Sequence, residues 1–367
     1  MLDSLANGLF WVLAAALVLA TVLPLTKSPL GAVRGLAFPR LQIACLAVLL
    51  ALLSVVLPLV TSGWVTLVLL VVAGVQAGYI VKFTPVWPKQ SHGAEADLRR
   101  DTDRQIALMS ANVKMSNRAY DRLLTQITAY DPDVIMAIEV DDAWVAALQK
   151  ALKARYAHWV TVPQDNGYGL CLISRLSLAN SEVRTLVTRN VPSIRTEIAL
   201  QSGDAIQLNL LHPEPPVIDH DTKGRDSEIA LVGLEAQSAN LPVIVAGDLN
   251  DVAWSTTTRK FQRLSQLLDP RVGRGLYNTF HADFAAFRWP LDHLFHDARF
   301  RLITLERVPH IGSDHFPIFF RLALAPKPRG AEQLDPATVE EKADARDMIR
   351  SEQNRDRMPI GEDWEKD

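Results

Sequence analysis

Two short stretches of this sequence pair residues suited to metal and phosphate chemistry. Gly247-Asp248-Leu249-Asn250 follows the apolar run Val243–Ala246. A period of two puts Asp248 and Asn250 on one side of an extended chain. The carboxylate accepts, and the amide can donate to a phosphoryl oxygen. Gly247 lets backbone or substrate approach closely. Gly312-Ser313-Asp314-His315 stands just before the last apolar run. It sets a hard oxygen ligand beside a proton-transfer group. Either stretch alone also reads as an ordinary polar turn.

Four further strand ends carry similar groups. Asp292, in Pro290-Leu291-Asp292-His293, is an acid within an apolar strand. A buried acid needs a partner, and an imidazole would serve. Asp131-Pro132-Asp133 leads into Val134–Ile138, which Glu139 closes. Ser110-Ala111-Asn112 ends a strand in an amide, and Leu210-Leu211-His212-Pro213 ends one in an imidazole. Independent polar turns are an improbable source for this whole set.

The elements that must position these groups follow from hydrophobic period. Ile106–Ala111, Val134–Ile138, Leu170–Ile173, Ser181–Val187, Arg195–Leu200 and Ile206–Leu211 read as strands, as do Val243–Ala246, Leu291–Phe295, Phe300–Leu305 and Ile318–Leu322. Helical spacing predicts helices over Arg118–Tyr130, Asp142–Tyr156 and Ser227–Ser238. βα units mixed with runs of neighbouring strands favour two packed sheets flanked by helices. His293 and His296 fall on opposite faces of their strand, which disfavours a shared metal. Asn117 reads as loop support, and Arg225 with Asp226 as a cap or salt bridge.

Asn112, Glu139, His212, Asp248/Asn250, Asp292 and Asp314/His315, in this order, resemble the motifs of the endonuclease/exonuclease/phosphatase superfamily. The resemblance runs from about Ile106 to Leu322, and the N-terminal apolar segments are similar to its membrane-bound bacterial branch. It implies a four-layer α/β/β/α sandwich (DNase I-like) with the site at one end of the sheets. It further implies that Glu139 holds a divalent metal, Mg²⁺ or Mn²⁺, with Asn112 and Asp314 close by. Asp248 and Asn250 would orient nucleophile and phosphate. His315, steadied by Asp292, would act on water or the scissile phosphate, and His212 would contact phosphate or assist the leaving group. Some nuclease members carry an acid where this chain has Lys114, which favours one main metal site here. The 5-phosphatase branch has Cys-Asp-Arg where this chain has Leu291-Asp292-His293, which disfavours inositol phosphates.

The net charge of -3 averages two unlike regions. From Ser4 to Val81 only Lys27, Arg34 and Arg40 are charged. Leu9–Leu25, Leu41–Val60 and Val65–Val81 are apolar runs of bilayer-crossing length. Three spans predict a multi-pass anchor, and the resemblance to the bacterial branch implies a bacterial inner membrane. The basic residues of the first loop, with Lys82, Lys89, Arg99 and Arg100, place the C-terminal domain in the cytoplasm. The organisation read from the sequence is a three-helix anchor over 1–82, a linker over 83–104, a catalytic domain over 105–325 and a charged, disordered tail over 326–367, with a short helix allowed near Ala337–Arg350.

Cys45 and Cys171 stand far apart, with no CxxC, so no disulfide framework or zinc site is implied. No Walker A, GxSxG, HExxH or dinucleotide fingerprint occurs. The expected function is hydrolysis of a phosphodiester or phosphomonoester at a membrane, on lipid or nucleic acid. A nuclease is the nearest alternative. A non-catalytic membrane scaffold is the alternative from another class, and retention of Glu139, Asp248 and His315 counts against it. No protein partner is implied.

Overall fold

The computed structural model describes residues 2–26, 28–56, 63–326 and 334–361. Three apolar helices come first: α1 (Leu2–Val22) and, after the short α2 (Gly31–Gly35), α3 (Arg40–Val56) and α4 (Gly63–Ile80). Then follow α5 (Ala96–Arg100), β1 (Gln105–Asn112), α6 (Tyr120–Tyr130), β2 (Val134–Ile138), α7 (Asp142–Leu152), β3 (His158–Val162) and β4 (Leu170–Ser174). The second half runs β5 (Leu178–Thr185), β6 (Pro192–Ala199), β7 (Ala205–Leu211), α8 (Lys223–Ser238), β8 (Val243–Asp248), α9 (Thr256–Ser265), β9 (Asp292–His296), β10 (Phe300–Arg307), β11 (Ile318–Leu324) and α10 (Val339–Gln353).

Two sheets form, in the orders β10-β11-β1-β2-β4-β3 and β5-β6-β7-β8-β9. Alternation along each strand decides the layers. Ile106 and Leu108, Val134 and Met136, Ile206 and Leu208, and Ile244 and Ala246 meet in one core between the sheets. The opposite faces carry Met109 and Ile135 against Leu123, Ile127 and Trp144 of α6 and α7. Val243 and Val245 likewise pack on Ile229, Val232 and Phe261 of α8 and α9. The result is the expected α/β/β/α sandwich.

Two elements escape a reading by period. β3 is half-exposed along most of its length, so no apolar run marks it. α9 begins Thr256-Thr257-Thr258, residues of poor helix propensity. Ser255 caps it through a bond from the Thr258 amide, and Phe261 and Leu264 fix it to the core.

α1 and α4, with the turns that follow them, are long and apolar enough to cross a membrane, and most of their residues are not buried within the protein. α3 is described over 17 residues, and the rest of the second expected run, 57–60, lies outside the described residues. A polar clasp joins the three helices. Arg40 donates to Gln76 at 2.7 Å, and Gln76 donates to Thr21 at 2.8 Å.

Two expectations are corrected. The segment 83–104 is not a free connector. The Ala94 amide donates to the Leu302 carbonyl at 2.8 Å, and Ala94 and Leu98 pack on Ala323 and Ala325. In the tail, the helix allowed near Ala337–Arg350 forms as α10 and packs on the domain instead of standing in solvent. Thr338 and Glu341 form a capping box, and Ala345 and Ile349 bury against Ala230 and Leu264. The amphipathic stripe outweighs the high charge of that segment.

Candidate active site

The same alternation that builds the inter-sheet core also builds the site. Asn112 shares a strand face with Leu108, His212 with Leu210, Asp248 with Ala246, and Asp292 with Leu294, all inter-sheet residues. His212 and Asp248 are the next same-side positions beyond their apolar runs, Asp292 starts its run, and Asn112 follows Leu108 with Ser110 between. The polar cluster therefore closes one end of the core. Asp248 and Asp292 are direct partners across the antiparallel β8–β9 ladder.

Local backbone geometry completes the placement. Glu139 leaves β2 in the left-handed region (φ 62), and Asn112 donates to its Oε1 at 2.6 Å. Asn112 also donates to Asp248 Oδ2 at 3.1 Å, tying β1 of one sheet to β8 of the other. Gly247, at φ 137, lies so near β7 that a Cβ would stand 2.0 Å from the Leu211 carbonyl oxygen. The chain then turns instead of staying extended, with Asn250 at φ 51. Its amide donates to Asp248 Oδ1 at 2.9 Å, and its side chain donates to the Pro213 carbonyl at 2.9 Å. Asn250 is thus held by the turn and not by strand alternation.

His315 Nδ1 lies 2.8 Å from Asp292 Oδ2, and its Nε2 lies 3.5 Å from Asp248 Oδ2. Burial opposes charge on this ring, but Asp292 and then Asp248 outweigh it and raise His315 to about 10. Burial lifts Asp292 above the ordinary carboxylate range. His212 Nε2 is 3.8 Å from Glu139 Oε1, and burial pushes this imidazole down to about 4. Confinement among protein atoms pushes Glu139 up to about 8, against the hydrogen bond from Asn112. The surroundings shift the two imidazoles in opposite directions, so the two are fitted for different roles.

A donor set for a hard cation is present. Ligand atoms of Glu139, His212 and Asp248 lie within 4.8 Å of one another, as do those of Asp248, Asp292 and His315. Crowded carboxyl oxygens of this kind suit a divalent ion, which favours the ionised form of a confined acid. The expected metal set of Asn112, Glu139 and Asp314 is gathered only in part. Asn112 turns its nitrogen toward the carboxylates, while its oxygen accepts from the Lys114 amide at 3.0 Å. Asp314 pairs with Lys114 Nζ at 3.2 Å.

Several supporting residues were not singled out from the sequence as parts of the site. Lys114 was read only as a departure from an acid. Buried Arg225 pairs with Asp226 at 2.9 Å and Asp251 at 3.4 Å, and donates to the Asn250 carbonyl at 2.8 Å. It thereby braces the turn after Asp248. Arg271 pairs with Asp269 and donates to His293 Nδ1 at 2.6 Å, while His293 Nε2 donates to the Asp251 carbonyl. His296 contacts Ser91 at 2.7 Å. Neither His293 nor His296 joins a metal-capable cluster among the described residues. Asn117 supports its loop, donating to the carbonyls of Val113 and Ile311. Of these, Asn117 was read as loop support and Arg225 with Asp226 as a cap or salt bridge, and the contacts agree.

Two sheets enclosed by helices, with carboxylates and imidazoles closing the inter-sheet core, define a phosphoester hydrolase of the nuclease and phosphatase type. The chain belongs to the Endonuclease/Exonuclease/phosphatase family, whose model matches residues 109–315, more than half its length. Solved structures share the fold. Danio rerio TDP2 complexed with a single-strand DNA product is 17% identical with a TM-score of 0.50, over 59% of this chain and 98% of that one. An endonuclease/exonuclease/phosphatase from Beutenbergia cavernae is 18% identical with a TM-score of 0.50, over 62% of this chain and 72% of that one. No curated protein matches the chain.

Proposed function

We propose that this protein is a membrane-anchored, divalent-metal-dependent phosphoesterase that hydrolyses a phosphodiester or phosphomonoester by in-line attack of water. The observation that carries this reading is the convergence of Asn112, Glu139, His212, Asp248, Asp292 and His315 at one end of the inter-sheet core. α1 and α4 support the anchor. With three spans and the positive loop residues, the catalytic domain faces the cytoplasm.

Glu139 and Asp248 would hold the metal, Mg²⁺ or Mn²⁺, with Asn112 keeping the two carboxylates in register. When bound, the ion supplies neutralisation of charge on the phosphoryl oxygens. Asp248 accepts the proton of the attacking water, and Asn250 fixes the turn that aims it. His315 is held as imidazolium by Asp292 and presents its Nε2 proton to a phosphoryl oxygen. This is electrostatic stabilisation by a preorganised donor. Neutral His212 offers Nε2 to the leaving oxygen or to phosphate. Asp314, paired with Lys114, shapes the rim of the site.

The test is hydrolysis of bis-p-nitrophenyl phosphate by the full-length protein with Mg²⁺ or Mn²⁺. Turnover abolished by a chelator and by Asp248→Ala supports the reading. A folded protein inactive on a broad phosphoester panel with either metal would overturn it.

A further inference from the structure

The loops around the site meet the turn between α1 and α3. On the segment after His212, the His220 carbonyl accepts from the Gly31 amide at 2.8 Å, and the Thr222 amide donates to the Pro29 carbonyl at 2.9 Å. This contact is tight, since a Cβ on Gly31 would lie 1.7 Å from the Val217 carbonyl oxygen. After Asp248, the Trp254 indole donates to the Ala37 carbonyl at 2.7 Å. Before Asp292, Gln42 donates to the Ala286 carbonyl at 2.6 Å, and Trp289 packs edge-on against Phe38 at 5.8 Å. Three active-site loops thus share one docking partner. That partner is the turn between α1 and α3 together with the first turn of α3.

Large apolar side chains stand exposed beside these contacts. Ile218 is 81% exposed, Phe284 60%, Phe287 56% and Leu30 54%. The segment 280–289 connects this rim to the chemistry. At one end the Phe280 ring lies 4.9 Å from that of His315, and the Ala282 amide donates to the Asp314 carbonyl at 2.6 Å. Phe284 and Phe287 lie between that end and the Trp289 contact with the membrane module. Aromatic side chains beside a spanning helix are stabilised in the interfacial layer of a bilayer.

We propose that Leu30, Ile218, Phe284 and Phe287 form a rim seated in the lipid surface, so that the site takes the phosphoester head group of a lipid in the same membrane. This rests on the membrane-anchored phosphoesterase reading and names its substrate class. Water adds to phosphorus, the P–O bond to the leaving alcohol breaks, and a proton passes to the leaving oxygen. The apolar rim favours lipid over nucleic acid, whose polyanionic backbone is bound by basic surfaces.

The test uses full-length protein in vesicles of phosphatidylethanolamine and phosphatidylglycerol. Nitroxides are placed by Phe284→Cys and by Ile218→Cys in a Cys45→Ser background, Cys171 being buried. Both labels are expected to relax faster with oxygen than with an aqueous nickel chelate. The reverse order overturns the seating. In the same vesicles, phospholipid hydrolysis is measured relative to bis-p-nitrophenyl phosphate. The Phe284→Ser/Phe287→Ser double variant is expected to lower that ratio about tenfold or more, as loss of interfacial burial predicts. An unchanged ratio, or cleavage of oligonucleotides with no cleavage of phospholipid, overturns the lipid assignment. Wild-type inactivity toward the soluble ester as well would instead sink the phosphoesterase reading and leave the nitroxides to judge the rim.

Discussion

His315 Nδ1 and Asp292 Oδ2 lie 2.8 Å apart, and no hydrogen bond to the other oxygen of Asp292 is found among the described residues. The carboxylate therefore spends its one strong contact on the ring, fixing its tautomer and orientation. Asp292→Asn keeps the shape and removes the charge. We expect kcat on bis-p-nitrophenyl phosphate to fall by roughly 10²–10⁴-fold, with the circular dichroism spectrum unchanged. A kcat within a factor of two of wild type would show that the pair is structural only.

Glu139 and Asp248 are linked through Asn112, which bonds to both at 2.6 and 3.1 Å. Two acids gathered in this way gain when a cation binds. Mg²⁺ or Mn²⁺ at a hundred times its Kd should stabilise the fold by about 2.7 kcal/mol. Thermal scans with and without metal should show this rise in wild type and not in Glu139→Gln. An equal rise in both would remove Glu139 from the metal site.

Glu228 gives a pH prediction away from the site. Burial pushes it up to about 8, and the Thr188 amide donates to it at 3.3 Å. Its folded pKa lies above the unfolded value near 4.3. The folded state then binds more protons in between, and stability must fall as pH rises from about 4.3 to about 8. Glu228→Gln keeps the acceptor and deletes the titration. Its Tm should exceed that of wild type at pH 8 and converge with it near pH 4. Parallel Tm profiles would refute the assignment.

Gly247 tests the backbone that aims Asp248. Alanine there meets the Leu211 carbonyl oxygen at 2.0 Å, whereas Gly167, also at positive φ, has nothing within 4 Å. Gly167→Ala should cost about 1 kcal/mol of backbone strain. Gly247→Ala should cost at least about 2 kcal/mol, because β7 and β8 must part. Equal thermal shifts in the two variants would mean that the strands relax freely.

Much of the site was legible in advance because it is written in short-range periodicity. An apolar strand with a polar residue at the next same-side position announces both the buried face and the group that ends it, as at Leu210 to His212 and Ala246 to Asp248. Period-based reading failed where that signal is weak. β3 has no fully buried run, and α9 opens on three threonines. The packing of α10 onto the domain was missed because charge dominates its composition, while Ala337, Ala345 and Ile349 carry its apolar burial.

The sequence by itself determined the order of the candidate polar groups at the strand ends, and that two sheets and apolar helices should form, because side-chain type and alternation are local properties. Only the tertiary structure decided which groups touch. Lys114 and Asp314 are 200 residues apart, and Arg225 reaches Asn250 across 25. Such contacts depend on strand register and on how the sheets face each other, which no local pattern encodes. The same holds for the Gly31, Ala37 and Gln42 contacts that set the loops around the site against the segment joining α1 to α3.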